Sequence, residues 1–485
     1  MLVHQAFRFE LAPDNVARSA LASHAGAARF AYNWGLALVK ERLAARLSLL
    51  VIALRQGATA GEAEAWAAEV TGPVPWSLPA LRREWNRAKH DLAPWWAENS
   101  KEAYSSGLDA LARAFKAFFS SRSGERKGKY VGFPKFKKKS SRQAFKVTTG
   151  RFGVVDSRHV RLPRIGVLRT KEPTMKLAAH LADGTARVLS ATVSEHAGRW
   201  YVSSGCEVER GEPKAPKGPA VGVDAGVKHH AVLSNGQTVP PPKHASHYAR
   251  RMARLQRQCS RRSGPKKGQA PSRRWRRSKA KLANVHAKVA NARSDGLHRL
   301  TSRLARAHRA VVIEDLNVAG MTRSAKGSGH WRGKARLNRA LLDASPAELR
   351  RQLGYKCSWY GSKLVVADRW YPSSKTCSGC GAVKAKLALF ERTYGCDACG
   401  LVIDRDVNAA MNLASLVEAV TGTASGAGTG RATGLRTGRG EVAASGQCSS
   451  LNCEDGTGQP GKTARPPDRH RRRRAIDGCL RRAHI

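Results

Sequence analysis

Three acidic side chains and four cysteines carry the chemistry open to this sequence. Ala220-Val221-Gly222-Val223-Asp224 and Ala310-Val311-Val312-Ile313-Glu314 are short apolar runs, each ending in a carboxylate. Runs of that length and β-branched content read as buried strands. Asp224 and Glu314 then stand at strand ends, where sheet geometry can bring them together. A third acid comes from Asp404-Arg405-Asp406-Val407-Asn408. On a helix, Asp406 shares a face with Ala410, Leu413 and Val417, at spacings of 4, 7 and 11. That face is apolar, so it turns Asp406 toward the sheet, while Asp404, just ahead of the helix, is better placed as its N-cap.

Carboxylates gathered without a neutralising base repel one another, and divalent cations are the usual remedy. Two Mg²⁺ ions roughly 4 Å apart would activate water and stabilise the leaving oxygen of a phosphodiester. No histidine base is then required.

The cysteines make a separate site. Cys377-x2-Cys380 and Cys396-x2-Cys399 are separated by fifteen residues, and Gly381 and Gly400 follow the second cysteine of each pair. Two such knuckles supply four thiolates to one structural Zn²⁺, with no coordination position left for catalysis. Cys206, Cys259, Cys357, Cys448, Cys453 and Cys479 lack partners at such spacing. That usage fits metal binding in a reducing cytoplasm better than a disulfide framework.

The elements that must position these groups follow from the pattern. Residues 2–11 alternate as a strand, and Asp14 or Asn15 caps a long helix carrying Phe30, Trp34 and Leu38. A second helix over 101–119 repeats apolar residues at i, i+3, i+4 through Leu108, Leu111, Phe115 and Phe118, a core stripe. The segment 122–142 interleaves Tyr130, Phe133 and Phe136 with Lys135, Lys137 and Lys138, as stacking on bases with phosphate contact would require. From 151 to 209 short strands alternate with turns and predict a small barrel or sandwich. The Pro- and Gly-rich stretch 209–219 marks a domain boundary. Arginine-dense helical sequence runs from 244 to about 306, with Arg273, Arg274, Arg276, Arg277 and Lys281 as phosphate clamps. Residues 363–367 give a third strand, and a helix spans 405–420. Beyond Thr421 the sequence collapses into Gly, Ala, Thr, Ser and Arg and is expected to be disordered.

Charge identifies the partner. Against 36 Asp and Glu stand 86 Lys and Arg, a formal net charge of +50. Such self-repulsion is relieved by a polyanion, and nucleic acid is the natural one. The start of the chain shows no secretory pattern, and its longest apolar stretch, 47–54, is too short to span a bilayer. No membrane association is expected.

Together, Gly222-Val223-Asp224-Ala225-Gly226, Ile313-Glu314-Asp315-Leu316, Ser373-Ser374-Lys375-Thr376-Cys377 and Asp404-Arg405-Asp406-Val407-Asn408-Ala409-Ala410 resemble the TnpB (OrfB) family. The order acid, acid, zinc ribbon, acid is similar to that family's nuclease domain, and the resemblance covers most of residues 1–420. It implies an RNase H-like (RuvC-like) α/β domain at 213–371 and 403–420, with a zinc ribbon inserted at 372–402. A β-barrel (wedge-like) domain at 1–12 and 140–212 would precede it, carrying a helical recognition insertion at 13–139, with a basic tail at 421–485. The resemblance further implies RNA-guided DNA cleavage beside a short transposon-adjacent motif; a monomer is expected, with the oligomeric state left open. Its cofactors would be two Mg²⁺, one Zn²⁺ and a guide RNA from the transposon end. The helix around 273–293, Arg293 included, would grip guide and heteroduplex. Three rival expectations are an RNA-guided repressor lacking acids, a type V CRISPR effector with the same site, and a zinc-ribbon DNA-binding accessory that leaves the ordered acids unexplained.

Overall fold

The computed structural model describes residues 1–422 apart from 127, 267, 325–330 and 389, so the expected tail lies, from residue 423 onward, outside the described residues. Two compact units divide the chain at Glu209 and Arg210.

The first unit opens with β1 (Leu2–Glu10) and α1 (Asn15–Arg55). Asp14 caps α1 by accepting from Ala17 N at 2.7 Å. Next come α2 (Ala60–Thr71), α3 (Leu78–Leu92) and α4 (Lys101–Arg122). The buried face of α1 runs through Leu21, Ala28, Ala31, Leu36 and Val39, while Phe30 and Trp34 sit at its edge with their rings against Trp85. Gly107 lets α4 cross α1 closely, since a Cβ there would lie 2.0 Å from the Ala28 carbonyl.

The remaining elements are β2 (Ala144–Val147), β3 (Gly153–Val154), β4 (His159–Leu162), β5 (Gly166–Arg169), α5 (Met175–Ala182), β6 (Ala186–His196) and β7 (Arg199–Glu209). They form a four-stranded antiparallel sheet, β1-β7-β6-β2, and a three-stranded one, β3-β4-β5. The end of β1 passes from one to the other through a bridge between Leu11 and Thr170. Glu102 ties α4 to the end of β2, accepting from Thr148 N at 2.7 Å and from its hydroxyl at 2.6 Å.

The second unit holds β8 (Val221–Asp224), β9 (Ala231–Leu233), β10 (Thr238–Val239), α6 (His244–His247), α7 (Ala249–Ser260) and α8 (Arg273–Ala307). They are followed by β11 (Ala310–Glu314), α9 (Val318–Met321), α10 (Trp331–Ala344), α11 (Pro346–Tyr360), β12 (Lys363–Ala367), β13 (Thr393–Gly395), β14 (Val402–Asp404) and α12 (Arg405–Gly422). A five-stranded sheet has the order β10-β9-β8-β11-β12, with β8, β11 and β12 parallel. Side chains on a strand alternate between the two faces of the sheet. Val221, Val223, Val311 and Ile313 pack on α8 and α11 through Leu297, Leu300, Leu304, Leu349 and Leu353. On the opposite face, Val312 packs against Leu413 and Val417 of α12.

The basic helical stretch breaks between Ser260 and Arg273, where Pro265 and Pro271 interrupt it and Ser272 restarts it by capping Trp275 N at 3.1 Å. α7 and α8 pack through Leu255, Leu282 and Val285, leaving Arg250, Arg251, Arg254 and Arg257 exposed. Among the described residues no helix is long and apolar enough to cross a membrane.

Candidate catalytic acids and cysteine cluster

In the parallel register Val221, Gly222 and Val223 lie opposite Val311, Val312 and Ile313. Asp224 and Glu314 are therefore the next residues of two adjacent strands that end together. By alternation both carboxylates rise on the face covered by α12. Gly222 sets how close that helix comes: a Cβ there would lie 1.8 Å from the Ala410 carbonyl and 2.7 Å from Ala414 N. Only glycine lets the helix rest directly on the strand. α12 begins one turn before this contact, where Asp404 caps it by accepting from Asp406 N at 2.9 Å and Val407 N at 3.2 Å. Ala410, Leu413 and Val417 are buried, as the spacing predicts, and Asp406 on the same face overlooks Asp224.

Asp224 and Asp406 line one cavity of about 140 Å³, with Gly226, Val227, Lys228, His229, Val232 and Arg392. Burial, then the charges of Glu314 and Asp406, push the Asp224 carboxyl up to about 7, against a smaller opposing effect of Arg405. Arg392 approaches Asp406 at 4.0 Å. The Ser373 hydroxyl donates to Glu314 Oε1 at 2.6 Å. A carboxylate raised by burial and by its acidic neighbours is destabilised in its charged form, and a divalent cation would relieve both effects. The three acids therefore suit divalent metal by donor type and by mutual repulsion.

Zinc can be tested against the cysteines directly. Cys377 Sγ and Cys399 Sγ are 3.6 Å apart, as are Cys380 Sγ and Cys396 Sγ. That is too long for a disulfide, whose sulfurs lie about 2.05 Å apart. A tetrahedron of Zn–S bonds of about 2.3 Å has sulfurs about 3.8 Å apart, close to the observed spacing. Backbone hydrogen bonding, led by Cys380 N–H, draws Cys377 down to about 6. At Cys399 the hydrogen bond from Leu401 acts in the same direction, but Cys380 and Cys377 outweigh it and push the thiol up to about 12. Four thiols this close ionise together only around a cation. They form a group of ligand atoms lying within 4.8 Å of one another, and among the described residues Asp224, Glu314 and Asp406 form no such tight group.

The ribbon is fastened to the acid-bearing helix. Asn408 and Asn412, both buried, lie one turn apart on α12. Asn408 accepts from Ser378 N at 2.9 Å and donates to Thr376 O at 2.7 Å. Asn412 donates to Ser373 O at 2.8 Å and Thr376 O at 2.6 Å. Ser373, Arg392, Asn408 and Asn412 were not singled out individually by sequence spacing. The buried polar residues at i, i+4 on an otherwise apolar helix face were the available signal.

The basic residues divide. Lys135, Lys138, Arg273, Arg274, Arg276, Arg277 and Lys281 are exposed. Two of the expected contact residues already have partners within the chain. Arg293 turns inward and donates to Asp343 Oδ1 at 2.9 Å, because Asp343 is buried and needs a counter-charge. Lys137 lies over the Tyr32 ring at 4.0 Å, its backbone doubly bonded to Asn33, and burial lowers its ammonium pKa. Phe133 is partly buried against the core, its ring against Phe115 and Phe118. Tyr130 and Phe136 remain exposed.

Fold and site define a class: an α/β domain with strand-end acids and a four-cysteine ribbon inserted before its last helix. Residues 203–325 match a family profile described as "Probable transposase", 347–413 a "Cas12f1-like, TNB domain", and 1–48 a "Helix-turn-helix domain". The chain is 38% identical over 85% of its length to a protein of Mycobacterium tuberculosis named "Putative RNA-guided DNA endonuclease", covering 86% of that protein. It is 30% identical over 86% of its length to the Escherichia coli protein of the same description, InsQ, covering 93% of it. A solved Cas12f1–sgRNA–target DNA complex matches at 15% identity and a TM-score of 0.43, over 85% of this chain and 99% of that one. The chain belongs to the TnpB (OrfB) family.

Proposed function

We propose that this protein is an RNA-guided DNA endonuclease of an insertion sequence, cleaving target DNA beside a short transposon-adjacent motif. Asp224, Glu314 and Asp406 are its catalytic acids and would hold two Mg²⁺. The observation that carries the reading is the raised Asp224 carboxyl at the common end of β8 and β11, opposite the first turn of α12. The relatives' names supply the substrate class. When bound, the ions would activate water and stabilise the leaving oxygen.

The chain's own residues do the rest. Gly222 fixes the height of Asp406 over the sheet, Ser373 holds one oxygen of Glu314, and Arg392 offers positive charge at the rim. Cys377, Cys380, Cys396 and Cys399 would hold a structural Zn²⁺. In this scheme the second unit is an RNase H-like (RuvC-like) domain at 213–371 and 403–420 with the ribbon at 372–402. The first unit combines a wedge-like β-barrel at 1–12 and 140–212 with a recognition insertion at 13–139. Lys135, Lys138, Arg273, Arg274, Arg276, Arg277 and Lys281 supply phosphate contacts to guide RNA and target DNA.

The test is direct: purify the protein with its RNA, sequence that RNA, and supply a matching plasmid with Mg²⁺. Cleavage by the wild type and its loss in Asp224→Ala are expected. Equal cutting by both proteins removes Asp224 from the mechanism.

A further inference from the structure

Beside Glu314 stands a feature that none of the proposed roles uses. Trp370 is 85% exposed, although an indole is among the most favourable side chains to bury. Its backbone is held firmly. On one side Arg369 donates to the Asp315 carbonyl at 3.3 Å and to Asp315 Oδ2 at 2.6 Å. Trp370 N itself donates to Asp368 Oδ1 at 2.8 Å, and Tyr371 N to the Asp368 carbonyl at 3.1 Å. On the other side the Tyr371 hydroxyl reaches Asn412 O at 3.2 Å and Ser373 reaches Glu314 at 2.6 Å. The loop is thus pinned at both ends to consecutive residues, Glu314 and Asp315, with the indole presented to solvent between them.

A second guanidinium, from Arg350, also pairs with Asp315. Arg350 and Arg369 share the Asp315 carboxylate, and both guanidinium groups are held in fixed geometry and roughly half exposed. A flat apolar face next to oriented, half-exposed guanidinium groups is the combination that takes a nucleotide: stacking for the base, charge-assisted hydrogen bonds for the phosphate. Asp368 accepts from Trp370 N and keeps its negative charge, so recognition here rests on the indole face and the direction of the guanidinium donors, not on net charge.

We infer that Trp370, Arg350 and Arg369 form a nucleotide subsite for single-stranded DNA beside Glu314, with a base stacked on the indole and a neighbouring phosphate on the arginines. The inference rests on the nuclease reading for its substrate. Its role would be to hold the unpaired strand in position as it enters the acids. Because the loop is ordered beforehand, little conformational entropy is lost on binding.

The experiment uses the full chain with its copurifying RNA and a fluorescein-labelled single-stranded DNA, followed by anisotropy without Mg²⁺. Companion strands each carry one abasic position. Trp370→Ala is expected to weaken binding by about 5- to 160-fold, the range of losing one base stack. Trp370→Phe should restore most of it. Wild type should show one abasic position that weakens binding, and Trp370→Ala should be insensitive to that position. Arg350→Gln and Arg369→Gln should each lower the slope of log affinity against log salt by about one. Unchanged binding in Trp370→Ala, or equal losses on intact and abasic strands, overturns the subsite; so does a wild type that does not bind single strands. A wild type that binds in this base-dependent way yet never cuts a matched plasmid leaves the subsite standing and overturns the nuclease assignment instead.

Discussion

The Ser373 hydroxyl donates to Glu314 Oε1 at 2.6 Å across a separation of 59 residues, while the Ser373 carbonyl accepts from Asn412 of the acid-bearing helix α12. One residue therefore connects a candidate metal-binding carboxylate, the lead-in to the cysteine ribbon and the helix that carries Asp406. Ser373 is a positioning residue. Outer partners of metal ligands typically account for about 10- to 100-fold in metal affinity or activity. Ser373→Ala should raise the Mg²⁺ concentration needed for half-maximal cleavage by about that factor while leaving thermal unfolding nearly unchanged. Ser373→Thr, which keeps the hydroxyl, should recover part of the loss. A Mg²⁺ titration identical to wild type would refute the role.

Gly222 makes a different prediction, about packing. A methyl group at this position would lie 1.8 Å from the Ala410 carbonyl, which is backbone and cannot rotate aside. Gly222→Ala must lift α12 from β8 and carry Asp406 with it. Overpacking of this kind costs about 1–3 kcal/mol. The variant should unfold earlier in urea by that amount and also lose cleavage. Ala substitution at Gly333, where nothing lies within 4 Å of the added carbon, is the control and should do neither.

The two sites were legible in the sequence to different degrees. Periodicity alone separated Asp406 from Asp404, and the backbone bonds to Asp404 Oδ1 agree with its capping role. The thiol pairs were legible because metal knuckles are local, with both ligands of a pair three residues apart. What escaped is non-local. Nothing in the spacing of Glu314 and Ser373 encodes their contact. Arg293 is expected to grip guide and heteroduplex only through the family resemblance, and its partner Asp343 lies 50 residues away. Lys137 and Phe133 fit base stacking and phosphate contact by their interleaving, yet α1 and α4 supply the rings that draw them in. Nothing in the local sequence distinguishes Gly222 from an ordinary strand residue, because the backbone it must clear belongs to α12, about 190 residues on.

Ribbon and acids should also respond together to zinc loss. Asn408 and Asn412 hold residues 373–378, whose end is the first cysteine pair. Stripping zinc with a strong chelator should release one equivalent per chain, measured with a colorimetric zinc indicator. Cleavage should fall in parallel, even after Mg²⁺ is restored in excess. Cys396→Ser should show the same coupling. Full activity in zinc-free protein with excess Mg²⁺ would show that the ribbon does not support the acids.

Lys356 gives a pH-dependent prediction remote from the acids. It is buried and donates to His298 O, Thr301 Oγ1 and Ser302 Oγ of α8 at 2.8, 2.8 and 2.9 Å. Burial, helped by the charge of Arg306, lowers its ammonium to about 8. An unfolded lysine titrates near about 10.4. Below about pH 8 both states carry the proton, and stability from this group does not change with pH. Between about 8 and 10.4 the unfolded chain binds a proton that the folded chain has released. Stability attributable to Lys356 must therefore rise across that window, by at most about 1.4 kcal/mol per pH unit. The difference in unfolding free energy between wild type and Lys356→Met isolates it, since the other titrating groups are shared. That difference should shift in favour of wild type as pH climbs from 8 to 10, because the methionine variant has no buried ammonium to discharge. A difference that stays flat across the window would mean that Lys356 keeps its proton in the folded state, with its three oxygen partners compensating fully for burial.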